Sequence, residues 1–187
     1  DDFWKGGVEE SVKHSWYEGD WSKGPFDETT DPQYTDWKES VAEGPKYSWV
    51  KSPTFQGQPA QVGPLANVLC MFAAGHEPTK KYATAVLKMA SDVAKTPVGL
   101  GALHSTLGRV AARSIRCAVL NDTLQEQFAA LMANIGKGDT VTCNPPTFPR
   151  GEQRGFGFHE APRGILSHWI VIQDGTIKNY QAVVPST

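Results

Sequence analysis

Apolar positions recur at helical spacing only in the middle of the chain. Val62, Leu65, Leu69 and Phe72 form a first stripe, opened by Gly63-Pro64 and ended by Gly75; an early proline and a trailing glycine are the expected bounds of a helix. A second stripe, Tyr82, Val86, Met89 and Val93, starts at Pro78 and stops at Pro97. A third runs from Leu103 through Leu107, Val110 and Ser114 to Cys117. A fourth, Leu124, Phe128, Leu131 and Ile135, follows Thr123 with Glu126 three residues on, the pattern of a capping box, and closes at Gly136. The spacing therefore predicts four helices over residues 62–136, packed antiparallel through short connections, with these stripes as core.

The flanks read differently. Residues 1–61 hold five of the six tryptophans (Trp4, Trp16, Trp21, Trp37, Trp49) and turn formers such as Lys23-Gly24-Pro25 and Thr30-Asp31-Pro32. This predicts an irregular segment that needs neighbouring surface to bury its rings. Residues 137–164 form a Pro- and Gly-rich loop containing Pro145-Pro146 and Gly155-Phe156-Gly157. Ile165–Gln173 and Thr176–Val184 are β-favourable and flank Asp174-Gly175, the strongest short hairpin signal, so residues 137–187 combine a loop with a β-hairpin. The expected fold class is α+β, mainly a helical bundle with a small β-hairpin region near the C-terminus, all one piece of a larger domain.

Composition narrows the function classes. A net charge of −2 and a pI near 6.2 offer no footprint for nucleic acid or an anionic membrane surface. No apolar run approaches the roughly 20 residues that span a bilayer, and no signal-peptide pattern is visible. Beginning at Asp1 without a methionine, the sequence reads as cut from a longer chain. The three cysteines, Cys70, Cys117 and Cys143, lack any Cys-x-x-Cys or Cys-x-x-His spacing and read as free thiols; Cys70 and Cys117, on apolar helical patterns, are expected to be buried as small hydrophobes. His14, His76, His104, His159 and His168 show no metal-ligand spacing. Gly99-Leu100-Gly101 lacks the rest of a dinucleotide fingerprint. Arg109 and Arg113, four apart on one helix face, read as exposed or salt-bridged cations.

One stretch stands apart: His159-Glu160-Ala161-Pro162-Arg163-Gly164, followed by Ser167-His168-Trp169 and later by Ala182-Val183-Val184-Pro185-Ser186-Thr187. With Lys46-Tyr47-Ser48-Trp49, Lys51-Ser52-Pro53, Val62-Gly63-Pro64-Leu65-Ala66 and Ser105-Thr106-Leu107-Gly108-Arg109, it resembles the large, catalytic subunit of nickel–iron hydrogenases over the whole chain. The related subunit of respiratory complex I is not expected to keep both the Ala161–Gly164 block and the Val-Pro-Ser ending. Thr54-Phe55 and Arg116-Cys117 depart from the family's usual residues, which bears on local salt bridges only.

The resemblance implies reversible heterolytic cleavage of H2 to protons and electrons at a Ni–Fe centre carrying CO and CN ligands. It implies that Arg163 lies over that centre as the catalytic residue, that Ser186 donates a hydrogen bond to a cyanide, and that Pro162 and Pro185 form a dry wall. An arginine pKa above about 12 favours electrostatic stabilisation over proton abstraction. The backbone carbonyl of Ala182 aligns with a Mg ligand. The two Cys-x-x-Cys pairs that hold nickel and iron are absent, so no cysteine ligand of the centre lies in this chain. The implied partners are H2, a small subunit with iron–sulfur clusters and, through it, a membrane cytochrome; the implied location is periplasmic and membrane-associated. The alternatives are a catalytically inert fragment or scaffold of that subunit, and an unrelated helical binding module.

Overall fold

A computed structural model describes residues 7–28, 35 and 44–186. Trp4, Trp37, Thr30-Asp31-Pro32 and Thr187 lie outside the described residues. The chain divides into two compact units, one of Gln61–Pro146 and one joining Asp1–Ala60 to Thr147–Thr187. Among the described residues no helix is long and apolar enough to cross a membrane.

The first unit is helical: α1 (Pro64–Ala73), α2 (Glu77–Ala94), a 3-10 turn (Leu100–His104) and α3 (Thr106–Gly136). Pro64 and Pro78 sit in the first turns of α1 and α2, where a missing N–H costs nothing. The core is Leu65, Val68, Ala83, Leu103, Ala112 and Ile115, flanked by half-buried Leu69, Phe72, Tyr82 and Val86. The expected third and fourth helices are one helix of 31 residues. Thr123 is not a cap: its hydroxyl donates to the Val119 carbonyl at 3.0 Å. Asp122 accepts from Tyr82 Oη on α2 at 2.7 Å, so Asp122 and Thr123 are satisfied without breaking the helix.

The buried face of α3 lies nearly opposite the predicted stripe. Gly108, Ala112, Ile115 and Arg116 are buried, whereas Leu107 and Val110 are exposed. Leu124, Phe128, Leu131 and Ile135 are exposed as well, as are Met89 and Val93 of α2, so these stripes are not core within the chain. All three cysteines are exposed, against the expectation for Cys70 and Cys117. Ser105 caps α3 by accepting from Gly108 N at 3.1 Å. Ser105→Ala should cost about 1 kcal/mol, read as a lower urea midpoint with an unchanged slope.

The second unit carries two antiparallel sheets in place of one hairpin and an irregular segment. In the first, β1 (Val8–Ser11) lies between β2 (Ser22–Lys23) and β3 (Ser52–Phe55), with Val8 opposite Phe55 and Ser11 opposite both Ser22 and Ser52. The loop after β1 is gathered by Lys46, whose Nζ lies 2.7–3.0 Å from the carbonyls of Val12, Ser15, Tyr17 and Gly19. Trp16 packs on Trp49 with ring centroids 4.7 Å apart. A cation inside a ring of carbonyls thus orders backbone that no ladder satisfies.

The second sheet runs β4–β5–β6, with β4 Glu152–Ala161, β5 Gly164–Gln173 and β6 Thr176–Val183. The Asp174-Gly175 turn is as predicted, both residues at positive φ (49° and 82°) as a type I′ turn requires. The strand β4 falls in the expected loop and extends the hairpin to three strands. One face buries Ser167, Trp169, Val171 and Asn179. Phe26 meets Trp169 edge-on at 4.9 Å, and Asn179 Nδ2 donates to the carbonyls of Pro25 (3.3 Å) and Phe26 (3.1 Å). These contacts join the sheet to the chain's first segment within the unit.

Candidate functional site

Ala161 pairs with Gly164, so Pro162 and Arg163 are the two residues of a tight turn between β4 and β5. Proline fixes its own φ at the turn's first position, and Gly164 follows at φ 145°, a conformation that side chains resist. Ser167 pairs with Val183 and His168 with Ala182. That register brings the end of β6, and with it Pro185 and Ser186, to the same end of the sheet as Pro162 and Arg163. Residues 23 apart in sequence, Arg163 and Ser186, are thereby gathered at one rim by strand pairing alone. Ala182 lies on β6, an outer strand, where alternate backbone carbonyls turn away from the sheet.

Pro162, Arg163 and Ser186 are exposed and Pro185 is half-buried. Arg163 makes no ion pair or hydrogen bond among the described residues. A guanidinium held at a turn tip with all its donors unspent suits a planar or diatomic anionic group. No three His, Cys, Asp or Glu side chains converge among the described residues, and the exposed Cys70, Cys117 and Cys143 belong to the helical unit. The residues fit the wall of a metal site, not its first coordination sphere.

Behind the rim lies a charged cluster that sequence reasoning missed. Lys51, just before β3, donates to Glu10 Oε2 of β1 at 2.7 Å and to Glu28 Oε2, and reaches Gln181 Oε1 of β6 at 3.5 Å. Glu10 and Glu28 are only 1% and 5% exposed. The partners lie 41 and 23 residues from Lys51, so no local spacing announces them; Lys51 itself was visible only as part of the Lys51-Ser52-Pro53 motif.

Burial pushes the Glu28 carboxyl up to about 8, and the nearby Glu10 charge adds to the effect. Burial opposes the Lys51 charge, but hydrogen bonds to both carboxylates outweigh it and hold the ammonium above the usual lysine value. The folded state binds the Glu28 proton more tightly than the unfolded chain does. The stability from this group is therefore full below the ordinary carboxylate value of about 4.3 and is lost as pH rises through about 8. Lys51 acts in the same sense above the ordinary lysine range.

On the sheet's other face His168 shares a hydrogen bond with Tyr180 Oη, and the His159 and His168 rings lie parallel with centroids 6.4 Å apart. His14 Nδ1 sits 3.0 Å from the Pro45 carbonyl and His76 Nδ1 2.9 Å from Thr79 Oγ1. Arg109 donates to Gln61 at 3.1 Å and Arg113 is exposed, as expected of solvent-facing cations.

Comparison with known proteins covers nearly all of the chain. The hydrogenase-2 large chain of Escherichia coli (strain K12) is 50% identical over 182 residues, which span 97% of this chain and 31% of that protein. The uptake hydrogenase large subunit of Rhizobium leguminosarum bv. viciae is 41% identical (96% and 32%). The quinone-reactive Ni/Fe-hydrogenase large chain of Wolinella succinogenes is 37% identical (96% and 33%). The chain thus spans about a third of the length of these relatives. In fold it matches the [NiFeSe]-hydrogenase of Desulfomicrobium baculatum with a TM-score of 0.66 at 22% identity, covering 100% of this chain and 35% of that one. The profile of the nickel-dependent hydrogenase family matches residues 2–187. These matches overturn the reading as an unrelated binding module: the chain belongs to the nickel-dependent hydrogenase family.

Proposed function

We propose that these residues act within a hydrogenase large subunit that reversibly cleaves H2 to protons and electrons. The observation that carries this reading is the rim: in a chain of this family, strand register gathers Pro162, Arg163, Pro185 and Ser186 at one end of a sheet. The Ni–Fe centre, with CO and CN on iron and thiolate ligands from outside these residues, supplies the redox chemistry. Arg163 would stabilise charge on that centre, Ser186 would donate a hydrogen bond to a cyanide, and the two prolines would line the site without adding donors. The Ala182 carbonyl serves a Mg ion. The partners are H2, a small subunit with iron–sulfur clusters and a membrane cytochrome reached through it, at the periplasmic side of a membrane. Support for the last two comes from relatives named as uptake and quinone-reactive enzymes.

The test is infrared spectroscopy of the full-length large chain with its small subunit, alongside H2 oxidation with an artificial acceptor. Bands of metal-bound CO and CN together with turnover are expected. Their absence from a metal-replete sample would favour the second reading, an inert scaffold, which draws on the missing cluster of metal ligands among the described residues. The intact mass of the purified protein separates the two early. A mass well above 20.4 kDa admits the missing cysteines, and a mass at that value leaves only part of a wall.

A further inference from the structure

The ammonium of Lys46 is surrounded by main-chain oxygen. Its Nζ lies 3.0 Å from the Val12 carbonyl oxygen, 2.9 Å from that of Ser15, 2.7 Å from that of Tyr17 and 2.9 Å from that of Gly19. These are all its polar contacts among the described residues, and no carboxylate is among them. An ammonium carries three N–H bonds. Four oxygens at bonding distance exceed what it can serve one to one, so at least one is drawn in by charge alone or shares a donor. A side chain acting only as a staple has no use for the extra acceptor, and a partly buried charge ordinarily pairs with an opposite one. A shell of neutral carbonyls that outnumbers the donors is instead how proteins replace the water around a spherical cation. The ring is built by the loop after β1 itself. Val12 N–H donates to the Trp21 carbonyl at 3.0 Å, Ser15 N–H to the Val12 carbonyl at 3.1 Å and Trp16 N–H to the Ser48 carbonyl at 2.9 Å. Val12 and Ser15 are fully buried, whereas Gly19 is exposed, so the ring has a closed floor and one open side.

We propose that residues 12–19 fold as a monovalent-cation site that Lys46 fills with its own ammonium, and that the same ring of carbonyls takes K+ or NH4+ when that side chain is shortened. Because the ammonium is tethered, it is always at hand, and the order of the loop does not depend on dissolved salt. Ammonium and K+ are close in size and both suit a shell of carbonyls. Li+ is too small to touch all the oxygens of a ring set for an ammonium, and choline is too large to enter it. The site goes beyond the hydrogenase reading and stands independently of it, since it is built wholly from one loop and one lysine of the same compact unit.

The assembled, full-length protein carrying these residues is compared with its Lys46→Ala and Lys46→Met variants by hydrogen–deuterium exchange. The bonded amides of Val12, Ser15 and Trp16 report on the loop without any need for turnover. In choline chloride both variants should exchange these amides at least about tenfold faster than the wild type. K+ or NH4+ at equal ionic strength should bring Lys46→Ala back to within about threefold of the wild type, and Li+ should not. Lys46→Met, whose uncharged stem still fills the ring, should stay fast in every salt. The wild type should exchange alike in all of them. Crystals of Lys46→Ala soaked with Tl+, a heavy stand-in for K+, should show an anomalous peak within bonding distance of the Val12, Ser15, Tyr17 and Gly19 carbonyls. A variant as protected as the wild type in choline overturns the proposal. So does a loosened Lys46→Ala loop that no cation restores and that shows no Tl+ peak. If Lys46→Ala does not fold, the wild type and Lys46→Met still decide: a wild-type loop that tightens with K+ means that Lys46 does not fill the ring, and a protected Lys46→Met loop means that no cation is needed there.

Discussion

Arg163→Lys lowers H2 turnover by about 10²–10³-fold, or some 3–4 kcal/mol of lost stabilisation, while the CO and CN infrared bands persist with small shifts. Lysine keeps the charge, so the loss isolates the planar fork. Arg163 presents its donors from a turn tip whose backbone is fixed by Pro162 and Gly164, and a lysine ammonium on a flexible stem cannot place paired donors against neighbouring diatomic ligands. The substitution should leave the fold intact. Arg163 is exposed and makes no ion pair among the described residues, so the change in unfolding free energy should stay within about 0.5 kcal/mol. Arg163→Ala, which removes charge and fork together, should be worse still. A lysine variant within twofold of the wild type would show that the guanidinium does not act at the reacting centre.

The largest effect on stability is expected at Gly108. A Cβ there would lie 2.3 Å from Leu103 Cα, 2.4 Å from the Ala102 carbonyl oxygen and 2.6 Å from Leu103 C. All three obstacles are backbone, so no side chain can swing aside. Glycine is needed because the 3-10 turn packs its main chain directly on the first turn of α3, placing Leu103 at 2% exposure against Ala112 and Ile115. Replacing a helical glycine by alanine ordinarily gains up to about 1 kcal/mol. Here overpacking costs about 3 kcal/mol or more, because relief requires the turn and helix to separate by about an ångström. Gly108→Ala should therefore destabilise by at least about 2 kcal/mol net, measured by urea unfolding. A neutral or stabilising result would mean that the two elements are not in main-chain contact.

What could be read in the sequence was mostly what is decided locally. Asp174-Gly175 fixes a type I′ turn through its own backbone preferences, so the hairpin of β5 and β6 was legible to within a residue or two. The strand β4 was not, because Gly155 and Gly157 remove two of its side chains and its alternation is carried by Phe156 and Phe158 alone. The continuity of α3 was hidden for the opposite reason. Asn121-Asp122-Thr123 has the composition of a helix start, and only the bonds to Tyr82 and Val119 show that it lies within one. The rim was legible through motif resemblance, and register alone places its two halves together. The Lys51 cluster was not, since three charged residues from distant segments acquire meaning only when β1, β3 and β6 are assembled.

The far half of α3 has a practical consequence. At about 1.5 Å per residue its 31 residues make a rod much longer than the 18-residue α2. Leu124, Phe128, Leu131 and Ile135 run along it as a greasy rail, each about half or more exposed. Scattered apolar side chains are harmless in water, but a contiguous rail invites copies to stick to one another. Residues 61–146 handled alone would call for a solubilising fusion or mild detergent, and precipitation would report on that surface and not on the packing of the interior.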